Sequence, residues 1–222
     1  DNHTESIIIM GSYYMDIATL PDSPISNPFI RLGVDEMATV AKDDSIKADS
    51  FYIRYWMGFR SIIRPLLAFF DYGEIRTLIS FFFYLLLIVT AFIIARHSNM
   101  MIGLSFFLSI LALNPILIGN SIQFSSIFFI SFIFTMFVPK LKKRGIKYYA
   151  LYFALSGIFT QYFDFYTAPL LTAGLPLAFL LVMHQIDNQP GDSMQSLARI
   201  ILICSVSWFL GYVLMWIIKL LL

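Results

Sequence analysis

The chain has 222 residues, of which 59% are hydrophobic and only 13% are charged, and its formal net charge is +1 at pH 7. A mean hydropathy of +0.77 excludes an ordinary soluble domain, and the near-zero charge gives no basis for binding nucleic acid. The single cysteine, Cys204, excludes an internal disulfide, and its apolar surroundings predict helix packing rather than a reactive thiol. We therefore predict a polytopic membrane protein whose partner is the lipid bilayer.

The first fifty residues are polar and mixed in character. Turn-forming residues follow one another in the string LPDSPISNP, and acidic residues are frequent between Asp35 and Asp49. This composition predicts a loop outside the membrane that contains short helices. The sequence starts at Asp1 and shows no apolar signal segment ahead of the polar stretch, so we expect a fragment with at least one membrane span before residue 1.

Residues 51 to 70, FYIRYWMGFRSIIRPLLAFF, predict an amphipathic helix in the membrane interface. Its basic residues share about a third of the helix circumference: Arg54, Arg60 and Arg64. Its aromatic and aliphatic residues lie mainly on the remaining surface: Trp56, Phe59, Ile63 and Leu67. The arginines have two interpretations. They anchor the helix to lipid headgroups, or they join Trp56 in binding a lipid-linked substrate, because a guanidinium matches a phosphate with two parallel hydrogen bonds.

Six apolar segments follow, each near the ~20 residues that a helix needs to cross a bilayer. They are Leu78 to Ala95, Met100 to Ile118, Ser121 to Val138, Ile146 to Tyr162, Ala168 to Met183 and Ile200 to Ile218. These segments predict a six-span region over residues 78 to 222, preceded by an extracytoplasmic region over residues 1 to 77. The predicted fold class is all-α: a polytopic membrane helical bundle with an N-terminal extracytoplasmic loop and an interfacial amphipathic helix.

The charges of the loops predict the orientation. The loop between the third and fourth segments is strongly basic, with Lys140, Lys142, Lys143, Arg144 and Lys147. The loops around Gly119 to Asn120 and around Phe163 to Thr167 contain no Lys or Arg. Because cytoplasmic loops carry the excess of basic residues, the basic loop is predicted to face the cytoplasm. Residues 1 to 77 and Asp164 are then predicted to lie on the outer side.

Asp164 is the only acidic residue between Glu74 and Asp187, and it lies in the polar break QYFDFYTAP, from Gln161 to Pro169. An acid so near hydrocarbon is costly, which favours a functional role. The alternative is a helix N-terminus, where a carboxylate accepts hydrogen bonds from free backbone N–H groups.

Other polar residues give weaker signals. Asn114, Asn120 and Gln123 either line a cavity or end helices, and we favour the second interpretation. His97 and His184 are predicted to be solvated in cytoplasmic loops, because neither has a partner at metal-ligand spacing. The sequence identifies no metal site and no cofactor.

The order of these elements resembles the GT-C superfamily of integral membrane glycosyltransferases. The shared features are an acidic first outer loop, an interfacial aromatic and basic helix, and short spans with a carboxylate in a later outer loop. The strings DNHTES, RYWMGFRSIIRPLL and QYFDFYTAPLLTAGLPL are also similar to those of a large group of uncharacterised bacterial multi-pass membrane proteins. These resemblances imply a bacterial plasma-membrane enzyme that transfers a sugar from a polyprenyl-phosphate donor on the outer face.

The resemblance also implies roles for single residues. In GT-C enzymes an Asp or Glu of the first outer loop acts as a base or positions the acceptor, and Asp1 best matches that place, with Glu5 next. Asp164 would orient the acceptor or the base, and the arginines of residues 51 to 70 would meet the departing lipid phosphate. We expect the carboxylates of Asp1 or Glu5 and Asp164 within roughly 15 Å of each other in one cleft. A transporter or flippase of lipid-linked sugars and a non-catalytic membrane scaffold are the alternatives.

Overall fold

A computed structural model describes Trp56 and residues 58–141, 144–163, 167–186 and 194–221, with Arg60 described in its backbone alone. The described residues form α-helices joined by short turns and contain no strand. Three of these helices are long and apolar enough to cross a membrane. The chain is therefore an integral membrane protein with an all-α fold, as predicted. It divides into two compact units, Asp1–Ile75 and Arg76–Leu222.

In the first unit, the described part of the predicted amphipathic helix is one short helix, α1 (Arg60–Leu66). Phe59 and Ile63 are buried and Arg64 is exposed, which agrees with the predicted separation of an apolar and a basic face. The helix was expected to continue to residue 70, and this expectation was wrong. Pro65 has no amide N–H to donate one turn back, and the backbone passes into turns after Leu66.

A capping box begins the next helix, α2 (Tyr72–His97). The Glu74 N–H donates to Asp71 Oδ1 at 2.8 Å, and the Asp71 N–H donates to Glu74 Oε2 at 2.9 Å. Each carboxylate thus satisfies a backbone donor that the first turn of a helix leaves without a carbonyl. The helix consequently starts six residues before the predicted span at Leu78.

The second unit contains the rest of α2 and six further helices among the residues that the structure describes. They are α3 (Met100–Leu111), α4 (Pro115–Gly119), α5 (Ile122–Leu141), α6 (Ile146–Phe163), α7 (Leu171–Ile186) and α8 (Met194–Leu221). The helices α2, α5 and α8 are the three that are long and apolar enough to cross a membrane, and α3 and α7 are shorter apolar helices. The six-span arrangement stays a prediction.

The predicted second segment is two helices rather than one, because the chain turns at Asn114. This residue has φ 59°, in the left-handed region, and Pro115 fixes the first position of α4. Asn114 Oδ1 caps α4 by accepting from the Leu117 N–H at 3.3 Å. At the other end of α4, Asn120 Nδ2 donates to the Ile116 carbonyl at 2.9 Å. Both asparagines therefore end helices, which confirms the favoured interpretation.

The two faces of α2 differ in burial although both are apolar. One face is buried in the bundle: Phe83, Leu87, Thr90 and Ile94. The opposite face is exposed: Phe81, Leu85, Ile88 and Phe92. Each set repeats every three or four residues, which is the period of an α-helix. Large exposed apolar side chains in such a continuous row suit contact with lipid tails.

Phenylalanine side chains join α2 to α5. The ring centroids of Phe83, Phe128 and Phe132 are 5.8 Å apart in each pair, and Phe106 of α3 adds an edge-to-face contact to Phe132 at 6.0 Å. A second core cluster contains residues of α2, α5, α6, α7 and α8, among them Cys204, which is fully buried. The prediction that Cys204 packs between helices is confirmed.

The most extensive helix contact is between α6 and α8, and it depends on two glycines. A Cβ atom on Gly157 would lie 2.9 Å from the Tyr212 backbone nitrogen and closer still to the Trp208 carbonyl oxygen. A Cβ atom on Gly211 would meet the backbone of Ala154 in the same way. Because only glycine leaves room for backbone against backbone, these residues set the separation of α6 and α8.

Candidate functional site

Most of the residues predicted to form the site are not among those that the structure describes. Asp1, Glu5, Arg54 and Asp164 lie outside the described residues. Among the other predicted residues, Trp56 is half-buried, Arg60 begins α1, and Arg64 is exposed on α1. The expected approach of Asp1 or Glu5 to Asp164 therefore stays a prediction.

The described residues on both sides of Asp164 have defined positions in the second unit. Before it, α6 ends at Phe163, and Gln161 in its last turn is buried. After it, Thr167 Oγ1 accepts a hydrogen bond from Gln123 Nε2 at 2.9 Å. Gln123 belongs to the first turn of α5, so this contact ties the return of the chain after Asp164 to the N-terminus of α5.

Further polar residues lie at the same N-terminus. Arg76 Nε, in the second turn of α2, donates to the Asn120 carbonyl at the junction of α4 and α5, at 2.9 Å. The next residue, Ser121, is only 5% exposed, and its hydroxyl makes no hydrogen bond to any residue that the structure describes. We call Arg76, Asn120, Ser121, Gln123 and Thr167 the polar end of the bundle.

Sequence reasoning missed Arg76 and Ser121. Arg76 was counted with the region before the first span, although it lies in the second turn of α2. The available signal was the pair Asp71 and Glu74, whose spacing of three residues marks a helix start and so places Arg76 inside the helix. Ser121 gave no signal, because a serine beside a helix start is common and its missing partner is visible only in three dimensions.

A second group of polar side chains lies inside the bundle, and we call Ser156, Thr160, Thr172 and Trp208 the hydroxyl cluster. Trp208 Nε1 donates to Thr172 Oγ1 at 3.0 Å, and the hydroxyls of Thr160 and Thr172 are 2.6 Å apart. Thr160 Oγ1 also lies 2.7 Å from the Ser156 carbonyl, and Thr172 Oγ1 lies 2.8 Å from the Pro169 carbonyl. The cluster therefore links α6, α7 and α8.

The two threonine hydroxyls have two protons for three possible hydrogen bonds. If Thr172 donates to the Pro169 carbonyl, Thr160 donates to Thr172; if Thr160 donates to the Ser156 carbonyl, Thr172 donates to Thr160. In both arrangements each hydroxyl and the indole N–H have a partner. The cluster thus has no unused donor to offer to a ligand.

Pro176 explains why a serine lies opposite the Thr172 carbonyl. In a regular helix that carbonyl would accept from the amide of residue 176, but proline has no amide N–H. Ser156 Oγ donates to the Thr172 carbonyl instead, at 3.0 Å. A hydroxyl from α6 therefore satisfies the carbonyl that Pro176 leaves free in α7, as the absence of water inside a bilayer demands.

His184 does not lie in a loop, so its predicted solvated position was wrong. It belongs to α7, is half-buried, and its Nε2 lies 3.2 Å from the hydroxyl of Tyr149 on α6. This pair and the Thr160–Thr172 pair lie toward opposite ends of α6 and α7, so the two helices run antiparallel. The helix reaches Ile186, three residues beyond the predicted segment, which is why His184 was misplaced.

The buried polar side chains of the described interior are the hydroxyls of serines and threonines and the amide of Gln161, and none of them is charged. No charged side chain is buried among the residues that the structure describes, and the buried hydroxyls of Thr90, Ser131 and Thr135 bond to carbonyls of their own helices. At the polar end, by contrast, the Ser121 hydroxyl has no partner among the described residues and the charged Arg76 bonds to the adjacent Asn120 carbonyl.

Comparisons with protein-family models, with curated proteins and with solved structures give no match to this chain.

Proposed function

We propose that this chain is a GT-C-like membrane glycosyltransferase, which moves a sugar from a polyprenyl-phosphate donor to an acceptor on the outer face of the membrane. The observation that supports it best is the contact between Gln123 and Thr167, which fixes the chain just after Asp164 to the N-terminus of α5. A carboxylate held near the end of a membrane bundle is suited to orienting an acceptor hydroxyl or a base.

The proposed chemistry assigns two kinds of group. Transfer to a hydroxyl needs a carboxylate base, and this role falls to Asp1 or Glu5 with Asp164 as the orienting acid. Departure of a lipid phosphate needs nearby positive charge, for which the proposal assigns the arginines of residues 51 to 70. In this proposal Trp56 and those arginines bind the donor, and residues 1 to 77 and Asp164 face outward.

A non-catalytic scaffold is the second candidate, and the hydroxyl cluster favours it. Ser156, Thr160 and Thr172 are used entirely in joining helices, which is what a structural bundle requires. A transporter gains less support, because ion or proton pathways usually place charged side chains inside the bundle and none is buried among the residues that the structure describes.

The substitution Asp164→Asn tests the glycosyltransferase proposal. The full-length protein would be purified into nanodiscs and supplied with a panel of polyprenyl-phosphate monosaccharides, and release of polyprenyl phosphate would be measured. We expect Asp164→Asn to lower the rate by roughly 10²–10⁴-fold, the usual contribution of a positioned acid or base. Asp187→Asn is the matched control, because Asp187 is predicted to lie on the cytoplasmic side.

Two results would count against the proposal. If the unaltered protein releases polyprenyl phosphate from no donor in the panel, the scaffold becomes the better interpretation. If Asp164→Asn and Asp187→Asn both retain the full rate, Asp164 is not a residue of the site.

A further inference from the structure

At the N-terminus of the long helix α5, no side chain among the described residues caps the free amides. The first helical hydrogen bond there runs from the Ser125 N–H to the Ser121 carbonyl at 2.9 Å. The amides of Ile122, Gln123 and Phe124 come before any carbonyl one turn back within the helix, as at every helix start. Helix starts usually use a side-chain oxygen of the preceding residue to accept from such amides, and Ser121 is of the right type.

Ser121 does not perform this capping role. Its side chain is 5% exposed, and its hydroxyl has no hydrogen-bond partner among the residues that the structure describes. Leaving a hydroxyl away from water without a partner is unfavourable, so native structures rarely retain one unless something else binds to it. Asn120 and Gln123 on either side are half-buried, so the residues that flank Ser121 are partly accessible to solvent.

Donors and positive charge surround the same place. Arg76 brings a guanidinium to the residue just before Ser121 through its bond to the Asn120 carbonyl. The first turn of α5 contains no acidic residue. The partial positive charge of the helix N-terminus adds to the charge of the guanidinium, so the combination favours an anion with several acceptor oxygens.

We propose that the N-terminus of α5, with Ser121 and Arg76, binds a phosphate group. The chain offers amide, hydroxyl and guanidinium donors there, which together match the oxygens of a phosphate. An α5 of 20 residues is about as long as a bilayer core is thick, which brings its end to the level of lipid phosphates. The phosphate comes either from a bilayer lipid or from solution. This proposal stands independently of glycosyl transfer, because it concerns binding alone.

The test uses the full chain purified in dodecyl maltoside, a detergent without phosphate. Binding of dioctanoyl phosphatidic acid, of inorganic phosphate and of dioctanoylglycerol would be measured by titration calorimetry. The expected result is that phosphatidic acid binds and dioctanoylglycerol, which has the same tails without phosphate, does not. Binding of inorganic phosphate as well would show that the phosphate alone suffices, and its failure would assign the site to a lipid.

Two substitutions connect this binding to the site. Ser121→Ala and Arg76→Gln should each weaken binding of the phosphate-bearing probe about tenfold, the effect of losing one hydrogen bond to a charged group. Ser126→Ala and Arg144→Gln are the matched controls and should leave binding unchanged, because Ser126 donates to the Gln123 carbonyl within α5 and Arg144 lies over the Tyr148 ring at the other end of α5.

Ser121→Ala also has a distinctive effect on the protein without ligand. Since the hydroxyl has no partner among the described residues, its removal should leave the melting temperature unchanged or raise it, whereas loss of a capping serine would lower it. The proposal is wrong if no phosphate-bearing probe binds, if dioctanoylglycerol binds as tightly as phosphatidic acid, or if both Ser121→Ala and Arg76→Gln bind like the unaltered protein. The last result would indicate that a water molecule satisfies Ser121.

Discussion

Replacing Ser156 by alanine should destabilise the protein only while Pro176 is present. The Ser156 hydroxyl donates to the Thr172 carbonyl at 3.0 Å, and Pro176 is the residue that leaves that carbonyl without a helical donor. With alanine at both positions, the new amide N–H of residue 176 donates to the carbonyl and the serine is no longer needed. The two substitutions should therefore be strongly non-additive.

The magnitude follows from the place of the hydrogen bond. An orphaned polar group costs about 1–3 kcal/mol in a protein interior. Interhelical hydrogen bonds in membrane bundles average about 0.6 kcal/mol, with a maximum near 1.7 kcal/mol. Ser156 and Thr172 are both fully buried, so the upper part of the membrane range applies. We expect Ser156→Ala to cost about 1–1.7 kcal/mol while Pro176 is in place and near zero once Pro176→Ala has been introduced.

Unfolding of the purified protein by SDS in mixed micelles, monitored by circular dichroism, would measure this cycle. The loss of the proline ring from its buried position costs the same in both arms of the cycle and cancels in the interaction energy. Ser131→Ala is the control, because its target, the Ile127 carbonyl, already accepts from the Ser131 amide in the regular helix. An equal cost of Ser156→Ala with and without the Pro176→Ala substitution would refute the reasoning.

Two further predictions concern helix packing in the second unit. Gly157→Ala should destabilise the bundle by about 1–3 kcal/mol, because its Cβ would press against the backbone of α8. Gly174→Ala should instead stabilise it by about 0.5–1 kcal/mol, because nothing lies within 4 Å of that Cβ; equal effects of the two substitutions on unfolding in SDS would contradict the close packing. Tyr149→Phe should lower the free energy of unfolding by about 0.6 kcal/mol when His184 is present and by less in the His184→Ala background. The control Tyr148→Phe, on the exposed side of α6, should leave the stability unchanged. Additive losses for Tyr149→Phe and His184→Ala would show that their contact at 3.2 Å contributes nothing to stability.

The fold class could be predicted because continuous apolar runs near the length of a membrane span are visible in the sequence. Apolar runs of the right length gave the helices, and the burial pattern at Phe83 and Leu87 follows the period of an α-helix. The break at Asn114-Pro115 was also readable, since proline favours the first position of a helix and asparagine caps it. Some predicted helix ends were wrong, as at His184, because tertiary packing extends a helix beyond its most apolar residues.

The polar interior could not be predicted, because its contacts depend on which helix faces arrive together. Ser156 and Pro176 are twenty positions apart, and nothing in the string shows that one provides what the other lacks. The close approach of Gly157 to Trp208 is equally hidden, because a glycine in an apolar run has several explanations. These residues meet only because α6, α7 and α8 pack with the faces that carry them toward one another.

The contrast between the interior and the polar end bears on where this chain could bind a ligand. Each hydroxyl of the hydroxyl cluster is engaged with another helix, so binding a ligand there would first require hydrogen bonds between helices to break. Ser121 has no such obligation to any residue that the structure describes, and Arg76 brings charge beside it. A phosphate at the N-terminus of α5 would accept from the Ser121 hydroxyl without breaking a hydrogen bond of that hydroxyl to any described residue. Because Gln123 bonds to Thr167, three residues after Asp164, we expect that in the proposed glycosyltransferase the effects of Ser121→Ala and Asp164→Asn on donor turnover are coupled.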